Sequence, residues 1–201
     1  MIIYNVGWLF FCASRGGGEQ FSLFSIAHLL RVIYTEPMKS HRPFYFPWKE
    51  NESDPACIHL KAALEAEINK AVADGFFYFI VGGADGVDTW AAEIVLEKKK
   101  TNPEINLELA KPFADYNKHL QNDYGRRLRA IEEAADRVTV VSDGADEAAD
   151  YILRDCYMVD ASERMIIVYD DESKGPSGTK DALLYARSSG VEIRQIQWMH
   201  L

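Results

Sequence analysis

The run Phe76-Phe77-Tyr78-Phe79-Ile80-Val81 constrains this chain more than any other stretch, because no polar alternation breaks it. A strand with one face in water alternates; a strand without alternation is buried on both faces, as in a parallel sheet held between two helix layers. The run stops at Gly82-Gly83, and Val87, Ala91, Ile94 and Val95 then repeat at helical spacing. The same strand-then-helix alternation is predicted along most of the chain. Strands are expected over 31–35, 106–110, 137–141, 165–169 and 191–196. One helix opens at Asp54-Pro55, carries Leu60, Leu64, Ile68, Ala71 and Val72 on one face, and stops at Gly75. Others carry Leu120, Tyr124, Leu128, Ile131 and Ala135, then Ala149, Ile152, Leu153 and Cys156, with a last helix over 180–188. The expectation is an α/β fold, a doubly wound, mostly parallel Rossmann-like sheet with helices on both faces, formed by residues 31–201.

Residues 1–30 read as an N-terminal extension. Their apolar stretch at 1–14 has no Lys or Arg before it and falls short of the roughly 20 residues that cross a bilayer, so neither a secretory signal nor a membrane partner is expected. With 22 Lys+Arg against 31 Asp+Glu, the net charge of −9 works against binding nucleic acid, whose affinity comes from cations displacing counterions. The cluster Arg126, Arg127 and Arg129 is read as a solvated helix face. Cys12, Cys57 and Cys156 are odd in number and far apart, which fits a reducing, cytoplasmic compartment.

Ligands of an open parallel sheet bind outside the carboxyl ends of its strands, which directs attention to three loops. Gly82-Gly83-Ala84-Asp85-Gly86-Val87-Asp88 joins the buried run to a helix: either its free N–H groups greet an anion such as phosphate, or it is a tight turn that binds nothing. Gly175-Pro176-Ser177-Gly178-Thr179 opens another helix and offers N–H groups and two hydroxyls, or a simple cap. The acidic residues before it, Asp170, Asp171 and Glu172, are read as solvated, and no metal is expected. Lys39-Ser40-His41-Arg42-Pro43 places His41 and Arg42 where a phosphate or ribose could be gripped, and Trp48 nearby either stacks on a base or packs on the rim.

Taken together, Ser-His-Arg-Pro at 40–43, Phe46-Pro47-Trp48 to Asp54-Pro55, Gly-Ala-x-Gly-Val-Asp at 83–88 with Trp90-Ala91-Ala92-Glu93, Tyr157-Met158-Val159-Asp160 and Gly-Pro-Ser-Gly-Thr at 175–179 resemble the YpsA-like branch of the SLOG superfamily. That superfamily includes DprA and the Lonely Guy phosphoribohydrolases. The resemblance implies a Rossmann-like sensor domain for a nucleotide-like, NAD-derived or ADP-ribose-like ligand, with links to stress and cell-division physiology and with self-association into a homo-oligomer. It implies ligand contacts from Gly82, Gly83, Gly86 and Asp88, with His41, Arg42, Gly175, Ser177, Gly178 and Thr179 around them. Were the protein instead a nucleotide N-glycosidic hydrolase, Asp88 or Glu93 would be its catalytic carboxylate. The Lonely Guy enzymes carry a catalytic Glu where this chain has Ala182. Asp155 and Cys156 stand where the family tends to have Asn-Arg, which implies a lost positive charge. A DprA-like role in handling DNA is the third reading, and the acidic charge opposes it.

Overall fold

The computed structural model describes residues 10–14, 46–170 and 178–200. The expected strand at 31–35 and the candidate residues His41, Arg42, Gly175 and Ser177 lie outside them. Helix α1 (Pro55–Ala73) starts as its sequence predicts: the Asp54 carboxylate accepts from Ala56 N at 2.9 Å, and Pro55 takes a position whose N–H would have no helical partner. Its buried stripe is Cys57, Leu60, Leu64, Ile68 and Ala71, and the chain leaves through Gly75 at φ +89°. Then follow β2 (Tyr78–Val81), α2 (Val87–Lys99), β3 (Asn106–Lys111), α3 (Asp123–Ala134), β4 (Arg137–Val140), α4 (Glu147–Asp160), β5 (Arg164–Val168), α5 (Gly178–Ser188) and β6 (Glu192–Ile196), before a short 3-10 turn, Trp198–His200.

These strands and β1 (Phe10–Ser14) form one sheet in the order β4-β3-β2-β1-β5-β6. The pairs β2/β3, β3/β4 and β5/β6 are parallel, whereas β1 runs antiparallel to both β2 and β5. The centre of the sheet is thus filled by residues that the sequence assigns to an extension. From β2 the chain winds outward through β3 to β4, then returns to β5 and winds the other way to β6. That reversal makes the carboxyl ends of β2 and β5 the topological switch point, the usual place for a ligand crevice.

Helices α1, α2 and α3 pack on one another, as do α4 and α5. Alternate residues of β3 show that the two groups cover opposite faces. Leu109 meets Leu128 of α3 around Gly83, whereas Glu108 accepts hydrogen bonds from Tyr157 of α4 (2.6 Å), Tyr78 (2.5 Å) and Thr139 (2.5 Å). A carboxylate that is 1% exposed is tolerable there because three hydroxyls replace its water. Phe46 stacks on Trp48 at 4.6 Å and 7°, and Trp198 stands edge-on to both at 5.3 Å, so Trp48 packs in the rim and does not present a face to a base.

Helix α4 departs from its predicted orientation. Its expected apolar face, Ala149, Ile152, Leu153 and Cys156, is only half-buried, and the residues turned inward are Asp150, Tyr151, Arg154, Asp155, Met158 and Val159. Two carboxylates and a guanidinium outcompete aliphatic side chains for the interior because each finds a partner there: Arg154 donates to Gly82 O and to Asp155, and Asp150 accepts from Ser142, just after β4.

Candidate functional site

Two of the three glycines after β2 are required by packing within the protein. A Cβ on Gly82 would lie 2.3 Å from Arg154 Nη1 and 2.9 Å from Asp88 Oδ2; one on Gly83, at φ +71°, would lie 2.7 Å from a Leu109 methyl. Gly86 adopts φ 94°, ψ −121° and opens α2 without any side-chain cap. The loop is braced from every side. Arg154 Nη1 donates to Gly82 O at 2.5 Å, Tyr124 OH donates to Gly83 O at 2.7 Å, Thr89 Oγ1 donates to Ala84 O at 2.8 Å, and Ala84 N donates to Asp88 Oδ2 at 3.1 Å.

Beneath it lies a buried charge cluster. Asp88 and Arg154 have no exposed surface, Asp155 has 4%, and Arg154 Nε donates to Asp155 Oδ1 at 2.7 Å. Burial pushes the Asp88 carboxyl up to about 7, against the pull of Arg154 and of the Ala84 and Gly82 amides, and burial likewise raises Asp155. Asp88 Oδ1, Arg154 Nη2 and Asp155 Oδ2 have no hydrogen-bond partner. Arg154, two positions before Cys156, puts a fully buried positive charge on this helix. Sequence reading missed this residue, although Asp150, Arg154 and Asp155 at i, i+4 and i+5 trace a polar stripe along one helical face.

The loop after β3 completes one wall. Phe113, Tyr116 and Tyr151 form an edge-to-face triad with centroids 5.9–6.1 Å apart. Asn117 Nδ2 donates to Tyr124 OH at 2.7 Å, and burial raises the Tyr124 hydroxyl far above its ordinary value. On the far side of the switch point, Gly178 and Thr179 are buried in the first turn of α5, and Thr179 Oγ1 has no partner. Ala182, on the same helix, is 5% exposed.

Glu93 does not join this group. Arg127 grips its carboxylate in a two-pronged pair, Nε–Oε1 2.7 Å and Nη2–Oε2 2.6 Å, and also reaches Glu52 at 2.5 Å. Glu52 accepts from Trp90 Nε1 and Lys61 as well, and these donors hold its carboxyl down at about 2 although burial opposes them. Glu93 thus braces α2 against α3 and stands apart from the Asp88 cluster. Arg127 is likewise a cross-link between elements, whereas Arg126 fits the solvated reading, exposed and paired with Asp123.

A family model, YpsA, described as the YspA SLOG family, matches residues 41–201. The chain belongs to this family. Among curated proteins, a UPF0398 protein of Halalkalibacterium halodurans is 31% identical over 73% of this chain and 76% of its own length. A UPF0398 protein of Enterococcus faecalis is 26% identical over 84% of this chain and 93% of its own. Membership in the YspA SLOG family accords with the Rossmann-like sheet, and the family match takes in both the loop after β2 and the first turn of α5. Among the described residues, no helix is long and apolar enough to cross a membrane.

Proposed function

We propose that this protein is a cytoplasmic binding domain for a nucleotide-like or NAD-derived ligand, seated at the carboxyl ends of β2 and β5. The observation that carries this reading is the set of buried polar atoms without partners on the two elements that flank the switch point: Asp88 Oδ1 on α2 and Thr179 Oγ1 on α5, with Arg154 Nη2 and Asp155 Oδ2 on α4 behind the loop. A buried polar atom without a partner costs about 1–3 kcal/mol, a cost that a ligand supplying hydroxyls and phosphate oxygens removes. The loop's own amides are partly spent on Asp88, so Asp88 suits the donor groups of a ribose and the first turn of α5 suits an anion.

Binding is tested by thermal shift with ADP-ribose, NAD, AMP and inorganic phosphate on wild type and Thr179→Val. That substitution removes a hydroxyl that bonds to nothing in the free protein, so the fold stays intact. A ligand at 100 times its Kd adds about 2.7 kcal/mol, roughly 5–10 °C here. The expected result is a shift in wild type that shrinks in the variant; equal shifts in both would remove α5 from the site. Hydrolysis of an N-glycosidic bond is the second reading, favoured by one observation, an Asp88 carboxyl that holds its proton close to neutrality. Release of free base from a nucleoside monophosphate, lost in Asp88→Asn, would replace binding with catalysis as the conclusion.

A further inference from the structure

The two edges of the sheet are finished differently. Along β6, Glu192 is held by both Arg164 and Arg194, and charged side chains on an edge discourage another strand from pairing there. Along β4 the sequence is Arg137-Val138-Thr139-Val140, without proline or glycine, in unbroken register with β3. Val138 and Val140 are 39% and 46% exposed, two of the few large apolar residues turned to solvent. Val141 N donates to Lys111 O at 2.9 Å, in phase with Arg137 and Thr139 facing β3. Val138 and Val140 therefore direct their own N–H and C=O groups away from β3, and no described strand lies beyond them.

The occupant that fits this edge is a second copy of the chain. In antiparallel pairing about a twofold axis at Thr139, Val138 of one copy lies opposite Val140 of the other. Both valine pairs then exchange two hydrogen bonds, and all four side chains meet on one face. Only that register pairs both outward residues of each strand with each other. The charges agree with it. Half-exposed Arg137 begins the strand, while Asp143, Asp146 and Glu147, all exposed, follow its end, so an antiparallel partner brings the acidic end of one copy towards the basic start of the other. We infer that β4 is a homodimerisation edge, which joins the sheets of two copies into one continuous sheet across a twofold axis at Thr139. This assignment does not depend on the ligand reading.

The test is sedimentation of the full chain over a concentration series, beside the double variant Val138→Lys/Val140→Lys. Both substituted side chains point to solvent in the monomer, and an unchanged unfolding transition verifies that the fold persists. A concentration-dependent dimer is expected in wild type, with at least tenfold weaker association in the variant. Register is read separately. Opposed residues of a non-hydrogen-bonded antiparallel pair lie about 4.5 Å apart between Cα atoms, within disulfide reach. Thr139→Cys is thus expected to form a disulfide-linked dimer on oxidation, whereas Val138→Cys, displaced from its own copy by two residues, is not. A protein that stays monomeric throughout overturns the inference. So does a dimer that survives the lysine substitutions without cross-linking through position 139.

Discussion

Gly75 and Gly82 are both glycines at the end of an element, yet substituting them tests different physics. An added Cβ at Gly75 meets nothing within 4 Å and costs only the left-handed conformation at φ +89°, about 1–2 kcal/mol. At Gly82 the same methyl would be driven into the buried Arg154 guanidinium, which cannot retreat without abandoning Gly82 O and its place between Asp88 and Asp155. Gly82→Ala is therefore expected to lose about 1–3 kcal/mol by overpacking and to disturb the loop, whereas Gly75→Ala lowers stability and leaves the loop intact. Urea denaturation with near-ultraviolet circular dichroism of Tyr116 and Tyr124 separates them. Asp88 makes a second prediction. Its carboxyl titrates at about 7 when folded, against an ordinary value of 3.8 for the unfolded chain, so between those values the folded state holds a proton that the unfolded state has lost. Stability is then expected to fall as pH rises from about 4 to 7, and Asp155 acts in the same direction. Asp88→Asn is expected to flatten that decline; a wild-type urea midpoint that does not fall across this range would show that Asp88 is not desolvated.

At the scale of elements, α4 carries the sharpest contrast between pattern and packing. Met158 is 1% exposed, whereas Ile152 is half-buried despite belonging to the stripe that the sequence marks as apolar. Met158→Ala is expected to cost about 2–5 kcal/mol, and Ile152→Ser under about 1 kcal/mol, by urea denaturation. The reverse order would restore the orientation that hydrophobic periodicity alone predicts. Helix α1 shows the opposite case, since Asp54, Pro55, the Leu60-Leu64-Ile68 stripe and Gly75 all act as their local chemistry dictates. The difference lies in what the buried face contains. Periodicity identifies a face by its aliphatic residues, and it fails where buried polar side chains take that face: Asp150 accepts from Ser142, Arg154 donates to Gly82 O, 72 residues away, and Arg154 also pairs with Asp155.

For the molecule as a whole, burial is concentrated in the middle of the sheet. All five residues of β5 are buried and three of the four in β2, against one of five in β6 and none in β4. Native-state hydrogen exchange is accordingly expected to be slowest for amides of β2, β3 and β5, opening only with global unfolding, and faster at β6. Exchange at Val138 and Val140 that slows with protein concentration would place β4 in the interface inferred above. Uniform protection across all strands would contradict this graded core.

Local periodicity and turn chemistry, acting within a few residues, were enough to set the strand and helix alternation from α1 onward, the first helix to its caps, and the glycine-bearing turn between β2 and α2. The family resemblance was legible in the same way, because it rests on short motifs. Three features came only with the folded chain. Phe10–Ser14 lies between β2 and β5, since an apolar run can pair with any open edge and only the assembled sheet selects which. Arg154 and Asp155 turn inward, and with them Gly82 acquires its steric reason. Glu93 pairs with Arg127, 34 residues away, through a contact that no spacing along the chain encodes.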